Sequence, residues 1–151
     1  MAGPLHSFLR GTGRDASGRL LADVLAFDDA QIEAVHDFIQ CLFPLPEASR
    51  AVPGAPVLTA AEAAEIRADP AARAGLAAAL ARMSRFYEST NAWLVPYNHN
   101  HLRITRILTA VNTLLGPCEA ATFHALILAR NETAGRPVNR TSLGYWAQAL
   151  S

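Results

Sequence analysis

Apolar side chains recur at helical spacing along most of the chain, and no segment shows the two-residue alternation of a strand. The clearest case is residues 98–116, where the apolar positions share one helix face: Ile104, Ile107, Leu108, Val111, Leu114 and Leu115. Gly116 and Pro117 then form a strong helix stop. The pattern predicts an all-α fold around a central amphipathic helix at about residues 98–116.

The other helices follow from capping signals and spacing. We expect about two turns over residues 20–25, a helix over 30–43 capped by Asp28 or Asp29, and a capping box at Thr59 that opens a helix to about residue 68. Further helices are predicted over residues 70–88 and 117–134, with a last one capped by Thr141 or Ser142. The 151 residues suit one domain, residues 1–151, of about six or seven helices.

Composition and charge narrow the class of protein. The chain is 51% hydrophobic and 17% charged, with a formal net charge of zero. Residues 1–75 hold six arginines and ten acidic residues, whereas residues 76–151 hold seven and three, so the halves carry −4 and +4. This division favours docking of the two halves on each other and argues against a nucleic-acid surface.

Several site types have no signal in the sequence. There is no export signal and no apolar run of membrane-spanning length, so we expect a cytoplasmic protein. The two cysteines are far apart, and no metal site or cofactor is predicted. The loop over residues 8–19 is rich in glycine and arginine but lacks the ending of a phosphate-binding loop. The dipeptide His36-Asp37 occurs in metal-dependent phosphohydrolases, which need further ligands from other helices.

The chemistry-bearing residues gather at the start of the central helix. His99, Arg103 and Arg106 are spaced i, i+4 and i+7 and form one stripe, and no Asp or Glu occurs between Glu88 and Glu119. On the predicted helix 30–43, His36 and Gln40 lie one turn apart at the edge of the apolar face. Two arginines beside a helix N-terminus suit an anionic group. The candidate ligand-binding residues are His36, Gln40, Asn98, His99, Asn100, Arg103 and Arg106.

The same residues also fit a structural hypothesis. The cluster would then be a buried polar network that joins the acidic and basic halves, with Asp37, Glu33 or Asp23 supplying the carboxylates. The apolar turn Trp93, Leu94, Pro96 and Tyr97 precedes the central helix; we expect it to anchor the core, with a ligand wall as the alternative.

Three motifs resemble the conserved domain of the opioid growth factor receptor family. They are residues 8–11 (FLRG) with 18–20 (GRL), residues 36–45 (HDFIQCLFPL) and residues 98–108 (NHNHLRITRIL). Cys41 stands where that family usually has tryptophan. The resemblance implies a stand-alone, bacterial-looking domain; the animal proteins are receptors for an opioid pentapeptide that associate with nuclear and other membranes.

Residues and resemblance together favour a binding or regulatory module for an anionic small molecule or peptide, with no catalytic residues assigned. One alternative is an enzyme of hydrolase or transferase type that uses His36 or His99 as a base, with Arg103 and Arg106 holding an oxyanion or phosphate. Another is a protein-interaction domain or homodimer, which an exposed apolar patch near residues 43–57 would favour.

Overall fold

The computed structural model describes residues 3–49 and 52–151, and within them the chain is all-helical with no strand. This confirms the predicted fold class. The described residues form nine helices: α1 Pro4–Leu9, α2 Leu21–Leu25, α3 Asp29–Ala34, α4 Ile39–Leu42, α5 Ala60–Ala68, α6 Pro70–Ser89, α7 Asn100–Leu114, α8 Pro117–Thr133 and α9 Arg140–Gln148. The number exceeds the predicted six or seven because the first third of the chain forms several very short helices.

Residue contacts divide the chain into two units, Met1–Arg82 and Met83–Ser151. In the first unit α1 packs against α4 and α5, and in the second α7 packs against α8 and α9. The helix α6 contributes residues to both units. The single domain over residues 1–151 stays a prediction.

The helix predicted over residues 30–43 is broken in the middle. Asp28 caps α3 as expected, with its carboxylate accepting from the Gln31 N–H. The helix nevertheless ends at Ala34, and Val35 has an extended backbone (φ −89°, ψ 129°). Helical structure resumes only at α4. The predicted one-turn pairing of His36 with Gln40 along a continuous helix is therefore wrong, although Gln40 Nε2 still lies 3.4 Å from the His36 carbonyl oxygen.

The predicted capping box at α5 is only half formed, and the other half serves a different helix. Thr59 Oγ1 accepts from the Glu62 N–H at 3.1 Å, as predicted. The buried Glu62 carboxylate does not turn back on its own helix. Its Oε2 accepts from the N–H groups of Leu5 and His6, both at 3.0 Å. A negative charge at these amides satisfies donors that a six-residue helix leaves without internal partners.

The core of the second unit is built from aromatic side chains around α7. Tyr87, Trp93 and Trp146 are all fully buried. Trp93 donates from Nε1 to the Thr90 carbonyl oxygen at 3.0 Å, and Trp146 donates from Nε1 to the His101 carbonyl oxygen at 3.0 Å. Each buried indole N–H thus has a partner, which lets both rings pack without an unsatisfied donor. The expected role of Trp93 as a core anchor is confirmed, and Trp146 is a second tryptophan of the core.

The last helix starts earlier than its predicted caps. Asn139, and not Thr141 or Ser142, is the N-cap of α9, with its side chain accepting from the Ser142 N–H at 2.8 Å. Asn139 also donates from its backbone N–H and from Nδ2 to the Pro96 carbonyl oxygen, at 3.3 and 2.6 Å. One amide side chain therefore caps α9 and holds the segment that precedes α7.

Gly75, which lies inside α6, provides a test of the packing in the first unit, and Gly144, which lies inside α9, provides the control. A Cβ added at Gly75 in α6 would collide with the Leu9 carbonyl oxygen and approach Leu21 Cδ2 to 2.9 Å, whereas a Cβ at Gly144 in α9 meets open space. We expect Gly75→Ala to destabilise the protein by about 1–3 kcal/mol, despite the better helix propensity of alanine. Gly144→Ala should stabilise it by about 0.5–1 kcal/mol. Urea unfolding followed by circular dichroism measures both, and equal effects of the two substitutions would contradict the close packing at Gly75.

Candidate functional site

The entrance to α7 is shaped by Asn98, one of the predicted ligand-binding residues. Its Oδ1 accepts from the backbone N–H of Asn100 at 2.9 Å and from Asn100 Nδ2 at 3.0 Å. Its Nδ2 donates to the Ala92 carbonyl oxygen at 3.3 Å. The Asn98 side chain therefore accepts from an N–H group at the start of α7, which is the kind of donor that an anion at a helix N-terminus would need.

Asn100 is fully buried, and it belongs to the same hydrogen-bonded chain. Its Oδ1 accepts from the Tyr87 hydroxyl at 3.2 Å. Because Tyr87 is also buried, an amide at position 100 gives a phenol in the core the acceptor that it needs. Asn100 is thus a structural residue that ties the first turn of α7 to the end of α6.

His101 extends this network further into the second unit. The ring is 3% exposed, and Nε2 lies 2.8 Å from the Trp93 carbonyl oxygen, to which it donates in the tautomer that carries hydrogen there. The imidazole also meets the Trp146 ring edge-on, with centroids 5.8 Å apart. The ring and the backbone carbonyl of His101 thereby connect the segment before α7 with α9. Two residues of the predicted cluster, Asn98 and Asn100, therefore belong to a structural network that also includes His101, which the sequence analysis did not select.

The three residues of the predicted stripe differ in exposure. His99 is exposed at the N-cap of α7, Arg106 is half-buried, and Arg103 is 6% exposed. The Arg103 N–H reaches back to the His99 carbonyl oxygen at 3.5 Å, so the i, i+4 relation predicted from the sequence is realised. Asp37, which we considered as a counter-charge in the structural reading, is bonded to partners within the first unit.

The structural role of Asn100 predicts a loss of stability on substitution. Asn100→Ala removes an acceptor of the buried Tyr87 hydroxyl and its own buried hydrogen bonds, and the loss of a partner by a buried polar group costs about 1–3 kcal/mol. Asn112→Ala is the matched control, since Asn112 lies half-exposed on the same helix and alanine has the better helix propensity. We expect thermal unfolding to show a lowered midpoint for Asn100→Ala alone. An unchanged midpoint would return Asn100 to the candidate ligand-binding residues.

His36 and Gln40 lie in the first unit, at the break between α3 and α4. His36 is exposed, which differs from the partial burial expected on a continuous helix, whereas Gln40 is buried at 4% exposure. The stretch is held by the neighbouring Asp37, whose two carboxylate oxygens accept from Ser17 Oγ at 2.7 Å and from an Arg19 guanidinium nitrogen at 2.9 Å. This pairing draws residue 37 towards the loop after α1 and away from a helical course.

The glycine-rich loop after α1 contains its own anion. The buried Asp15 carboxylate accepts from the N–H groups of Ser17 and Arg19 at 3.0 and 2.9 Å, and from Arg19 Nε at 2.8 Å. The Arg19 guanidinium also lies 5.7 Å from the Phe27 ring centroid. Backbone donors that a phosphate would require are therefore taken by Asp15, which argues against phosphate binding at this loop.

The pairing of Asp37 predicts a defined pH dependence. The hydrogen bond from Ser17, together with the Arg19 guanidinium, lowers the pKa of the Asp37 carboxyl from its ordinary value. A carboxyl whose pKa is lowered by folding stabilises the folded state above its ordinary pKa, and this contribution is lost as the pH falls through the lowered pKa. Asp37→Asn should therefore cost stability at neutral pH, by no more than about 1 kcal/mol because the carboxylate is half-exposed.

The measurement is urea unfolding of the wild type and of Asp37→Asn over a pH series. The two stability curves should converge as the solution becomes acidic, and Ser17→Ala should lie between them at neutral pH. Curves that stay parallel down to the lowest pH at which the wild type folds would contradict the assignment.

Tyr97 is the residue whose exposure the sequence pattern did not predict. Tyr97, expected to anchor the core with Trp93, is 80% exposed, and Leu102 is 72% exposed. For Leu102 a signal was present, because it falls outside the apolar face defined by Ile104 and Ile107. For Tyr97 the apolar neighbours Trp93 and Leu94 concealed its exposure.

An exposed apolar patch near residues 43–57 would favour the alternative of a protein-interaction domain. Phe43 is fully buried and Val57 is 43% exposed, while Arg50 and Ala51 lie outside the described residues.

Over the described ranges, no group of three or more His, Cys, Asp or Glu side chains is arranged to hold a metal ion. In the same part of the chain, no helix has both the length and the apolar character needed to cross a membrane.

Comparison of the chain with models of known protein families, with curated proteins and with solved structures gives no match.

Proposed function

We propose that the chain is a binding module of the opioid growth factor receptor-like type, which takes an anionic ligand at the N-terminal half of α7. The observation that carries this proposal is the charge of that segment. His99, Arg103 and Arg106 follow one another along one side of α7, and the chain has no Asp or Glu between Glu88 and Glu119. The assignment to this family rests on the three sequence motifs alone.

The charge of the second unit supports an anionic ligand. Residues 83–151 contain six arginines and three glutamates, a formal excess of three positive charges. One of the glutamates, Glu132, is held by Arg136 one turn later on the surface, with N–O distances of 2.7 and 2.8 Å. A positive field around α7 would steer a negatively charged partner to this face and lower its approach barrier.

Binding is a better fit than catalysis for the histidines. His36 and His99, the predicted candidate bases, are both exposed to solvent. Charge stabilisation of a transition state is strongest in a water-excluded site, where the local dielectric constant is low. His101 is the buried imidazole of this segment. It lies within hydrogen-bond distance of the Trp93 carbonyl oxygen and packs edge-on against the Trp146 ring. These features favour a module that holds a ligand without transforming it.

The test is thermal unfolding with a panel of phosphate, nucleotides, dicarboxylates and acidic peptides. A ligand that binds only the folded state stabilises it by about 2.7 kcal/mol at a hundredfold excess over Kd. We expect at least one anion to raise the midpoint of the wild type, and Arg106→Gln to abolish most of that rise. Arg140→Gln, an exposed arginine at the start of α9, is the control and should keep it.

His99→Gln tests a second residue of the stripe. It should cause little loss of packing, since His99 is exposed. A rise that survives equally in Arg106→Gln, His99→Gln and Arg140→Gln would place the anion elsewhere and overturn the proposed site. A panel in which no anion stabilises the wild type would overturn the proposed function itself.

A further inference from the structure

A surface with two large apolar side chains flanks the proposed anion site. We name it the α7 entry surface and define it by Tyr97, His99, Leu102 and Arg106. Tyr97 and Leu102 are the two most exposed large hydrophobic residues within residues 3–49 and 52–151. Single apolar side chains on a surface are ordinary. Here, however, two of them lie within five residues of each other and beside two basic side chains.

Helix geometry places most of this surface on one side of α7. His99, Leu102 and Arg106 are spaced i, i+3 and i+7, so their side chains follow one another along one face. The opposite face carries Ile104 and Ile107, both fully buried. Leu102 is therefore held in solvent by the same helix that buries its apolar neighbours, and no local rearrangement of the helix would cover it.

The backbone that carries Tyr97 is fixed on both sides. Before it, the Pro96 carbonyl oxygen accepts two hydrogen bonds from Asn139. After it, the Asn98 side chain is bonded to the Ala92 carbonyl and to Asn100. An exposed aromatic ring on a fixed backbone loses little conformational entropy when a partner covers it, which is the property of residues that dominate binding energy at interfaces.

The charge around these apolar side chains defines the partner. The surface contains Arg106 and His99, and the chain between Glu88 and Glu119 has no carboxylate that would repel an acidic partner. A small anion would complement the positive excess of residues 83–151 but would leave Tyr97 and Leu102 in water. A protein segment with both carboxylates and a large apolar side chain would complement the charge and also cover the two apolar side chains.

We infer that the α7 entry surface docks an acidic segment of a partner protein, with a large apolar side chain of that segment packed on Tyr97 and Leu102. This inference rests on the proposed function and specifies its ligand. Tyr97 and Leu102 supply apolar contact area, and His99 and Arg106 supply the charge that selects an acidic sequence over a neutral one.

The probe is a displayed library of random peptides selected on the wild-type protein. We expect the recovered peptides to be enriched in Asp or Glu together with a large apolar residue. Tyr97→Ser and Leu102→Ser should each weaken binding of a recovered peptide by about tenfold or more, because truncation of a central apolar contact has an effect of that size. Both substitutions should leave the unfolding midpoint within about 2 °C of the wild type, since they remove exposed side chains.

Tyr145→Ser and Leu128→Ser are the matched controls. They remove a tyrosine from α9 and a leucine from α8 that are also exposed, at 51% and 38%. Peptide binding should be unchanged in both. Equal losses in the controls, a library that enriches basic or uncharged sequences, or a library that yields no binder would each overturn the docking inference.

Binding experiments with small anions distinguish the docking inference from the proposed anion-binding function on which it rests. If phosphate or a dicarboxylate stabilises the wild type through Arg106 while no peptide binds, the anion site stands and the docking inference fails. If acidic peptides bind and their affinity falls in Tyr97→Ser and Leu102→Ser but not in the controls, the inference is supported. If peptides bind Arg106→Gln and Tyr97→Ser as tightly as the wild type, and no small anion stabilises the wild type, both proposals fail.

Discussion

Helix ends impose a condition that several polar side chains of the described residues satisfy. Each helix leaves its first N–H groups and last C=O groups without internal partners. The helices α1 to α4 have six residues or fewer, so most of their backbone groups lie at an end. In the first unit Glu62 meets this demand at the start of α1. In the second, Arg130 meets it at the end of α6, where its guanidinium donates to the carbonyl oxygens of Tyr87 and Thr90 at 3.2 and 3.0 Å.

The same demand explains why a cluster of amides and imidazoles at a helix start is a poor guide to a ligand site. Asn98, Asn100 and His101 have the donors and acceptors that a ligand would need, but the fold uses them first. Together they satisfy the first turn of α7, the Tyr87 hydroxyl and the Trp93 carbonyl. Tyr97, His99 and Leu102 lie in the same segment and are exposed to solvent.

The parts of the fold that could be predicted are those that local signals determine. The start of α5 at Thr59, the junction of α5 and α6 at Asp69 and Pro70, and the stop after α7 at Gly116 all depend on residues within one helical turn. The break after α3 could not be predicted in this way. It accompanies the bonding of Asp37 to Arg19, which lies 18 residues earlier, and a pairing over that separation leaves no periodic trace in the sequence.

In the candidate site, too, features set by local spacing could be predicted from the sequence, and features set by long-range contacts could not. The spacing of His99, Arg103 and Arg106 is a local property, and the helix realises it. The buried Asn100 is bonded to Tyr87, and the backbone at Pro96, next to the exposed Tyr97, is bonded to Asn139, 43 residues later in the chain. Contacts of this kind are set by tertiary packing, so the same stretch of sequence was compatible with a wholly polar pocket and with a structural network.

On the proposed function, the structural network and the exposed surface act together, so that a binding site and a structural staple are not exclusive alternatives for this segment. Asn98, Asn100 and His101 hydrogen-bond within the segment that carries Tyr97, His99 and Leu102. A surface that is rigid before a partner arrives loses less entropy on binding than a mobile one, so a given contact area yields a higher affinity. The buried amides would then contribute to recognition without touching the partner. Their effect on affinity would accompany a loss of stability, whereas the exposed side chains would affect affinity alone.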